Sequence, residues 1–324
     1  MKAAHRDKRS IRFASESCMN TPMLRRQFLV TAGGAAIAAP AAANVFATPN
    51  AAEADQTGNQ ARLFAGCCAY SYLKYFNAGS MTMESFIQKA VELGVRGVDI
   101  TTYWLKSTEP EYLTSLRHLA SKNGVSLSGI AIRTEMCQAG GAIRAEEVRR
   151  IQQWVDAAEL LGTSHVRVFA GNLPGGATEK QGIEWVVEAM KPACDCAAKW
   201  GITLGIENHG GMTARAATTL EILRRVDSPY AGINLDISNF EGKTDDEMYS
   251  DIQACVPHAT HAHIRDLFGT TKRPIDLDRV WRLFAQGEYK GYMSAEYEGE
   301  EDPTTGVPKL LEKIKVLCRK YSSA

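Results

Sequence analysis

The sequence predicts an α/β fold, a single parallel (β/α)8 barrel. Eight short apolar runs alternate with longer stretches of helical period, and these units fill about 260 residues, the size of one such barrel. A doubly wound open sheet would share the alternation. No G-x-G-x-x-G follows the first run, however, so the closed barrel is the better reading.

The predicted strands are Leu63–Ala69, Gly97–Thr101, Val125–Ile132 and His165–Ala170, then Ile202–Glu207, Ala231–Asp236, Thr260–Ile264 and Tyr292–Tyr297. Between them apolar residues recur at spacings of three and four, as in Phe86, Ala90, Val91 and Leu93, or Trp154, Ala157, Ala158 and Leu161. That period gives a helix one face to bury. Thr108 before Glu111, Thr218 before Glu221 and Thr244 before Glu247 read as capping boxes that open helices. Gly94, Gly124, Gly162 and Gly201 read as helix ends, where a left-handed residue closes the last turn.

Apolar residues make up 45% and charged residues 23%, which excludes a disordered chain, a collagen-like repeat and a membrane bundle. Lys and Arg number 37 and so do Asp and Glu, but they are unevenly spread. Lys2, Arg6, Lys8, Arg9, Arg12, Arg25 and Arg26 face only Asp7 and Glu16 in residues 1–47. The remainder is mildly acidic, the wrong sign for neutralising phosphates, so nucleic acid is not an expected partner.

Leu24-Arg25-Arg26-Gln27-Phe28-Leu29-Val30 is a twin-arginine pattern, followed by a small-residue run from Thr31 to Ala43 and by Val45-Phe46-Ala47, a V-x-A cleavage site. In that order the three resemble a Tat signal over 1–47. The expected organisation is then a linker over 48–62, a barrel over 63–320 and a tail over 321–324. The resemblance implies that the precursor meets the Tat export machinery and that the mature protein is periplasmic or otherwise exported. The apolar run is too short and too rich in Ala and Gly to span a bilayer, so no membrane span is expected in the mature chain. Seven cysteines lie beyond this segment, an odd number without zinc-like spacing. They read as buried small hydrophobes.

Catalytic groups of such barrels sit at the C-terminal ends of the strands. Strand five ends in Glu207-Asn208-His209-Gly210-Gly211, and strand six in Leu235-Asp236-Ile237-Ser238-Asn239. Strand seven reads His261-Ala262-His263-Ile264-Arg265-Asp266, and strand eight runs into Glu296-Tyr297-Glu298-Gly299. Alternation puts Glu207 with His209 on one face, likewise His261, His263 and Arg265, and likewise Glu296 and Glu298. One Glu, one Asp, one His and one Glu from four successive strands would repel one another without a cation. Carboxylates with an imidazole suit Mn²⁺, Mg²⁺, Co²⁺ or Zn²⁺.

These motifs, in this order, resemble the xylose isomerase-like barrel superfamily, the sugar phosphate isomerase/epimerase group that also holds ketose 3-epimerases and endonuclease IV. The resemblance covers about 63–320. It implies one divalent metal ion held by Glu207, Asp236, His263 and Glu296, with Glu207 and Glu296 also transferring protons. His209 and Arg265 read as groups for substrate oxygens, with capping or support of its neighbours the equal alternative for His209. A metal that holds adjacent carbonyl and hydroxyl oxygens acidifies the C–H between them, so the implied activity is a sugar isomerase or epimerase working through an enediolate. Glu298 is the alternative to Glu296 if strand eight ends two residues later.

The ketose 3-epimerases carry D-x-x-H after strand six, where this chain has Asn239, and an arginine six residues after the metal His, where it has Gly269. Endonuclease IV carries a D-x-H after strand seven; the nearest match, Asp276-Leu277-Asp278, lacks the His. The expected substrate is a free sugar, keto-sugar or derivative. A lyase or dehydratase acting on a keto-sugar or keto-cyclitol is the alternative, and a non-catalytic exported sugar-binding protein a third. Tyr72, Tyr103 and Trp104, near the first two strand ends, either stack on a ring or pack in the core. Lys272 and Arg273 after strand seven read first as part of a solvated loop, with an anionic group of the substrate the alternative, and Gly171–Gly176 reads as a turn.

Overall fold

A computed structural model describes residues 61–322. The expected export signal over 1–47 and most of the expected 48–62 linker lie outside the described residues. Eight strands close into a parallel barrel in sequence order, with the first pairing the eighth. They are β1 (Arg62–Cys68), β2 (Gly97–Thr101), β3 (Ser126–Ala131) and β4 (His165–Phe169), followed by β5 (Thr203–Glu207), β6 (Ala231–Asp236), β7 (Ala259–Ile264) and β8 (Lys290–Ala295). The first seven lie within one residue of the predicted starts and ends. β8 starts and ends two residues earlier than expected, which leaves Glu296 immediately beyond the strand.

The outer layer holds α1 (Leu73–Asn77), α2 (Met83–Leu93), α3 (Pro110–Lys122), α4 (Gly141–Leu161) and α5 (Glu179–Ala198). It continues with α6 (Ala216–Val226), α7 (Asp245–Cys255), α8 (Leu277–Gln286) and α9 (Pro303–Tyr321). α8 shows why these segments fold as helices: Leu277, Val280, Trp281 and Phe284 are all buried, a stripe at spacings of three and four laid against the barrel. No helix among the described residues is long and apolar enough to cross a membrane.

Helix starts correct the sequence reading. Of the three expected caps only Thr244 acts, accepting from the Glu247 N–H. α3 opens on Pro110 after Glu109, and α6 on Ala216 after Arg215, so Thr108 and Thr218 cap nothing. Reciprocal capping boxes form instead at Thr82–Ser85 and Thr178–Gln181. The physical reason is that α3 uses a proline whose missing N–H needs no cap, while Thr218 lies inside α6 and donates to the Glu179 carboxylate. Gly94 and Gly162 close α2 and α4 in the left-handed conformation, as expected.

Two irregularities shape the barrel interior. The β2–β3 pairing slips between Val98 and Asp99, so that Asp99 faces Gly129 and Ser128 is extra. The β6–β7 pairing slips between Ile233 and Asn234, leaving Thr260 extra before His261. Such bulges re-aim the side chains that follow them. All seven cysteines of the described residues are buried, as the sequence suggested.

Candidate metal and proton-transfer site

The four predicted ligands meet at the C-terminal mouth. Register brings them level: Asp236 pairs with His263 across β6–β7, and Ile264 with Ala295 across β7–β8. The Glu296 N–H donates to the Ile264 carbonyl (2.9 Å), extending the ladder by one residue and turning that carboxylate inward. One donor atom from each of Glu207, Asp236, His263 and Glu296 lies within 4.8 Å of the others, and all four residues are buried.

The loops lock this arrangement. Asn208 clasps the neighbouring strand end, accepting from the Asp236 N–H (2.9 Å) and donating to the Asp236 carbonyl (2.7 Å). The Asp236 carboxylate accepts from the Ser238 N–H and hydroxyl, both at 2.7 Å, and from Asn239 Nδ2 at 2.9 Å. Asn239 also reaches His209 Nδ1 (3.3 Å), and the His209 ring packs on Phe169 (4.4 Å between centroids). His209 therefore stands on the pocket wall, held from two sides.

Two guanidinium groups share the acids. Arg265 Nη2 lies 2.6 Å from Glu296 Oε2 and 3.1 Å from Asp236 Oδ2, while Nη1 reaches Glu298 at 2.9 Å. Arg167, from β4, places Nε 3.1 Å from Glu207 Oε2 and its plane over the Phe169 ring. Burial pushes the Glu207 carboxyl up, but Arg167 and His263 more than offset it, so Glu207 is held below its ordinary range. Glu296 is likewise held well down, against burial, by His263 and Arg265. Asp236 goes the other way: burial, with Glu296 and Glu207 close by, lifts it despite Arg265.

A divalent ion fits these residues. Three carboxylates and an imidazole converge in a buried mouth, where a cation would offset the repulsion among the acids. Glu298 is partly exposed and belongs to Arg265 rather than to the cluster, so Glu296 is the strand-eight donor that the geometry brings in.

Several expectations need correction. Tyr72 is wholly buried among Phe86 and Tyr75 and cannot stack on a ligand. Trp104 is stacked on Phe76, whereas Tyr103 does line the pocket. Arg273 is turned outward to Asp245, and neither it nor Lys272 lines the pocket. Gly171 is more than a turn residue: its φ is +93°, and the Glu135 carboxylate occupies the space a Cβ would need.

Sequence reasoning missed Asp99, Arg167, Tyr70 and Arg133, of which the last three line the pocket. Asp99 accepts from His263 Nε2 at 2.9 Å. A signal existed for Asp99 and Arg167. Each is a lone charge in an otherwise apolar strand, and barrel interiors hold such groups only when they are paired.

The family model for the xylose isomerase-like TIM barrel matches residues 87–317. The chain belongs to that family. No curated protein matches it in sequence. Among solved structures it is similar to a D-psicose 3-epimerase from Clostridium cellulolyticum H10, with a TM-score of 0.66 at 15% identity, covering 81% of this chain and 100% of that one. A D-allulose 3-epimerase from Methylomonas sp. gives 0.63 at 19%, covering 81% and 99%. A probable 3-DHS dehydratase from Bacillus anthracis gives 0.62 at 18%, covering 78% and 98%. At these identities the likeness establishes the shared barrel.

Proposed function

We propose that this protein is a divalent-metal-dependent sugar isomerase or epimerase acting on a free sugar, keto-sugar or derivative. The observation that carries the reading is the convergence of Glu207, Asp236, His263 and Glu296 within 4.8 Å at one barrel mouth. Glu207, Asp236, His263 and Glu296 would hold a divalent ion there, which would supply the Lewis acidity that makes a C–H next to a carbonyl easier to ionise. The chain supplies the rest. Glu207 and Glu296 enter from different strands and both approach His263 Nδ1, at 3.2 and 3.4 Å. The ionised carboxylate of one takes the proton from carbon, and the other, once it has taken a proton from solvent, returns that proton to the carbon. Arg265 and His209 line the same cavity and would hold substrate oxygens, while Tyr70 and Tyr103 give it aromatic walls.

A dehydratase acting on a keto-sugar or keto-cyclitol shares the first step. His209 favours this second reading, because an imidazole on the pocket wall is placed to protonate a departing hydroxyl. The twin-arginine segment supports export of the precursor, with the barrel as the mature domain; amino-terminal sequencing of the secreted protein checks cleavage after Ala47.

The test is metal analysis of the untagged protein followed by a screen of sugars for C–H to C–D exchange in deuterated water. One divalent ion per chain and exchange that Glu296→Gln abolishes support the epimerase. Loss of water from the substrate without a recovered epimer moves the assignment to the dehydratase. A folded protein that neither retains nor rebinds a divalent ion overturns both.

A further inference from the structure

We infer that Asp99 is a positioning residue: its carboxylate holds the His263 ring so that Nε2 is the protonated nitrogen and Nδ1 is the one presented to the ligand cluster. The inference rests on the metal site proposed above and adds a residue from the opposite half of the barrel. Asp99 Oδ2 lies 2.9 Å from His263 Nε2. An ionised carboxylate only accepts hydrogen bonds, so Nε2 must be the donor. The other nitrogen, Nδ1, faces Glu207 Oε1 at 3.2 Å and Glu296 Oε2 at 3.4 Å. With Nε2 committed, the neutral ring carries its lone pair on Nδ1, where a cation held by the carboxylates needs it.

The backbone is built for this contact. Asp99 comes from β2 and His263 from β7, strands that are not neighbours, so the two side chains must cross the barrel interior to meet. An extra residue, Thr260, precedes His261 and His263 in β7, and the slip beside Asp99 places its extra residue, Ser128, on the neighbouring β3. A one-residue shift in a strand would send either side chain to the outer face. Asp99 is also a costly group to place there. It is 3% exposed, and its second oxygen has no hydrogen-bond partner. His261 Nε2 is 3.9 Å from that oxygen and bonds Ser128 instead (3.4 Å). The Cys68 thiol is its remaining polar neighbour. A buried carboxylate with one strong hydrogen bond, made to a predicted ligand, acts through that ligand.

The test uses the full mature chain labelled with 15N-histidine and loaded with 113Cd²⁺. Metal–nitrogen coupling at His263 Nδ1, with Nε2 still protonated, supports the inference and needs no variant. Coupling at Nε2 overturns it, and so does a second cadmium on Cys68, Asp99 and His263. Equilibrium dialysis with Co²⁺ or Mn²⁺ is the second readout: Asp99→Asn should bind about 10–100-fold more weakly while its thermal unfolding stays cooperative. Wild-type affinity in Asp99→Asn overturns the positioning role and leaves the metal site standing. Failure of the wild-type chain to bind any divalent ion removes both.

Discussion

The two halves of the barrel contribute in different ways. Strands β5–β8 put their functional groups at or just past the strand ends: Glu207, Asp236, His263 and Glu296, with His209 and Arg265 beyond. Strands β1–β4 work from within, through Asp99 and Arg167, while their own ends carry Cys68, Thr101 and Ala131. The ligand half can be read as a row of motifs because each group stands at a strand end, next to a polar loop. The supporting half cannot, because its charges stand singly in strands that otherwise look like core. The comparison teaches that the first half places charged partners, Asp99 and Arg167, against candidate ligands carried by the second.

The largest expected effect tests the ligand half. Glu296→Gln should lower substrate C–H exchange by about 10²–10⁴-fold, measured by proton NMR in deuterated water. A residual rate near wild type would mean that Glu296 is not a proton-transfer group. Next comes Arg167 in the supporting half. Arg167→Met leaves Glu207 buried beside an empty position, and breaking a buried pair in this way should cost about 3–5 kcal/mol in urea unfolding. A cost below about 1 kcal/mol would show that the metal site alone balances Glu207 and would erase the division of labour.

A smaller and graded effect follows from Asp236. Burial raises this carboxyl, and Glu296 and Glu207 raise it further, with Arg265 and His263 opposing. A metal ion must therefore displace a proton that Asp236 holds more tightly than an ordinary aspartate does. Apparent metal affinity should weaken as pH falls from about 8 to about 6, checked by calorimetry across that range. Affinity that is flat across the window would place Asp236 outside the ligand set. The smallest effect is at Glu298, which is partly exposed and bound only to Arg265 Nη1. Glu298→Gln should change metal affinity by no more than about fivefold, because exposed pairs contribute about 0–1 kcal/mol. A loss as large as that of Glu296→Gln would reverse the choice between the two.

Where the sequence misled, competing local physics was at work. Thr108 and Thr218 carry the spacing of a cap, but Pro110 and Arg215 set the true helix starts. β8 was placed two residues late because Tyr297 extends its apolar pattern; Tyr297 packs beneath Gly306 of α9 instead of joining the ladder. Tyr72 and Trp104 looked available to a ligand because aromatic residues near strand ends are ambiguous. Packing against Phe86 and Phe76 decided them.

The sequence by itself determined the barrel and the four candidate ligands. Strand and helix periods are local, and catalytic groups in this architecture fall at predictable points of each repeat. Only the tertiary structure decided that Asp99 of β2 meets His263 of β7 and that Arg167 of β4 meets Glu207 of β5. The first pairing depends on strand register and on the extra residue Thr260 in β7, the second on the regular β4–β5 register, and each sums the geometry of more than one strand. No short window of residues contains that information, because a single extra residue in one strand turns every later side chain to the opposite face.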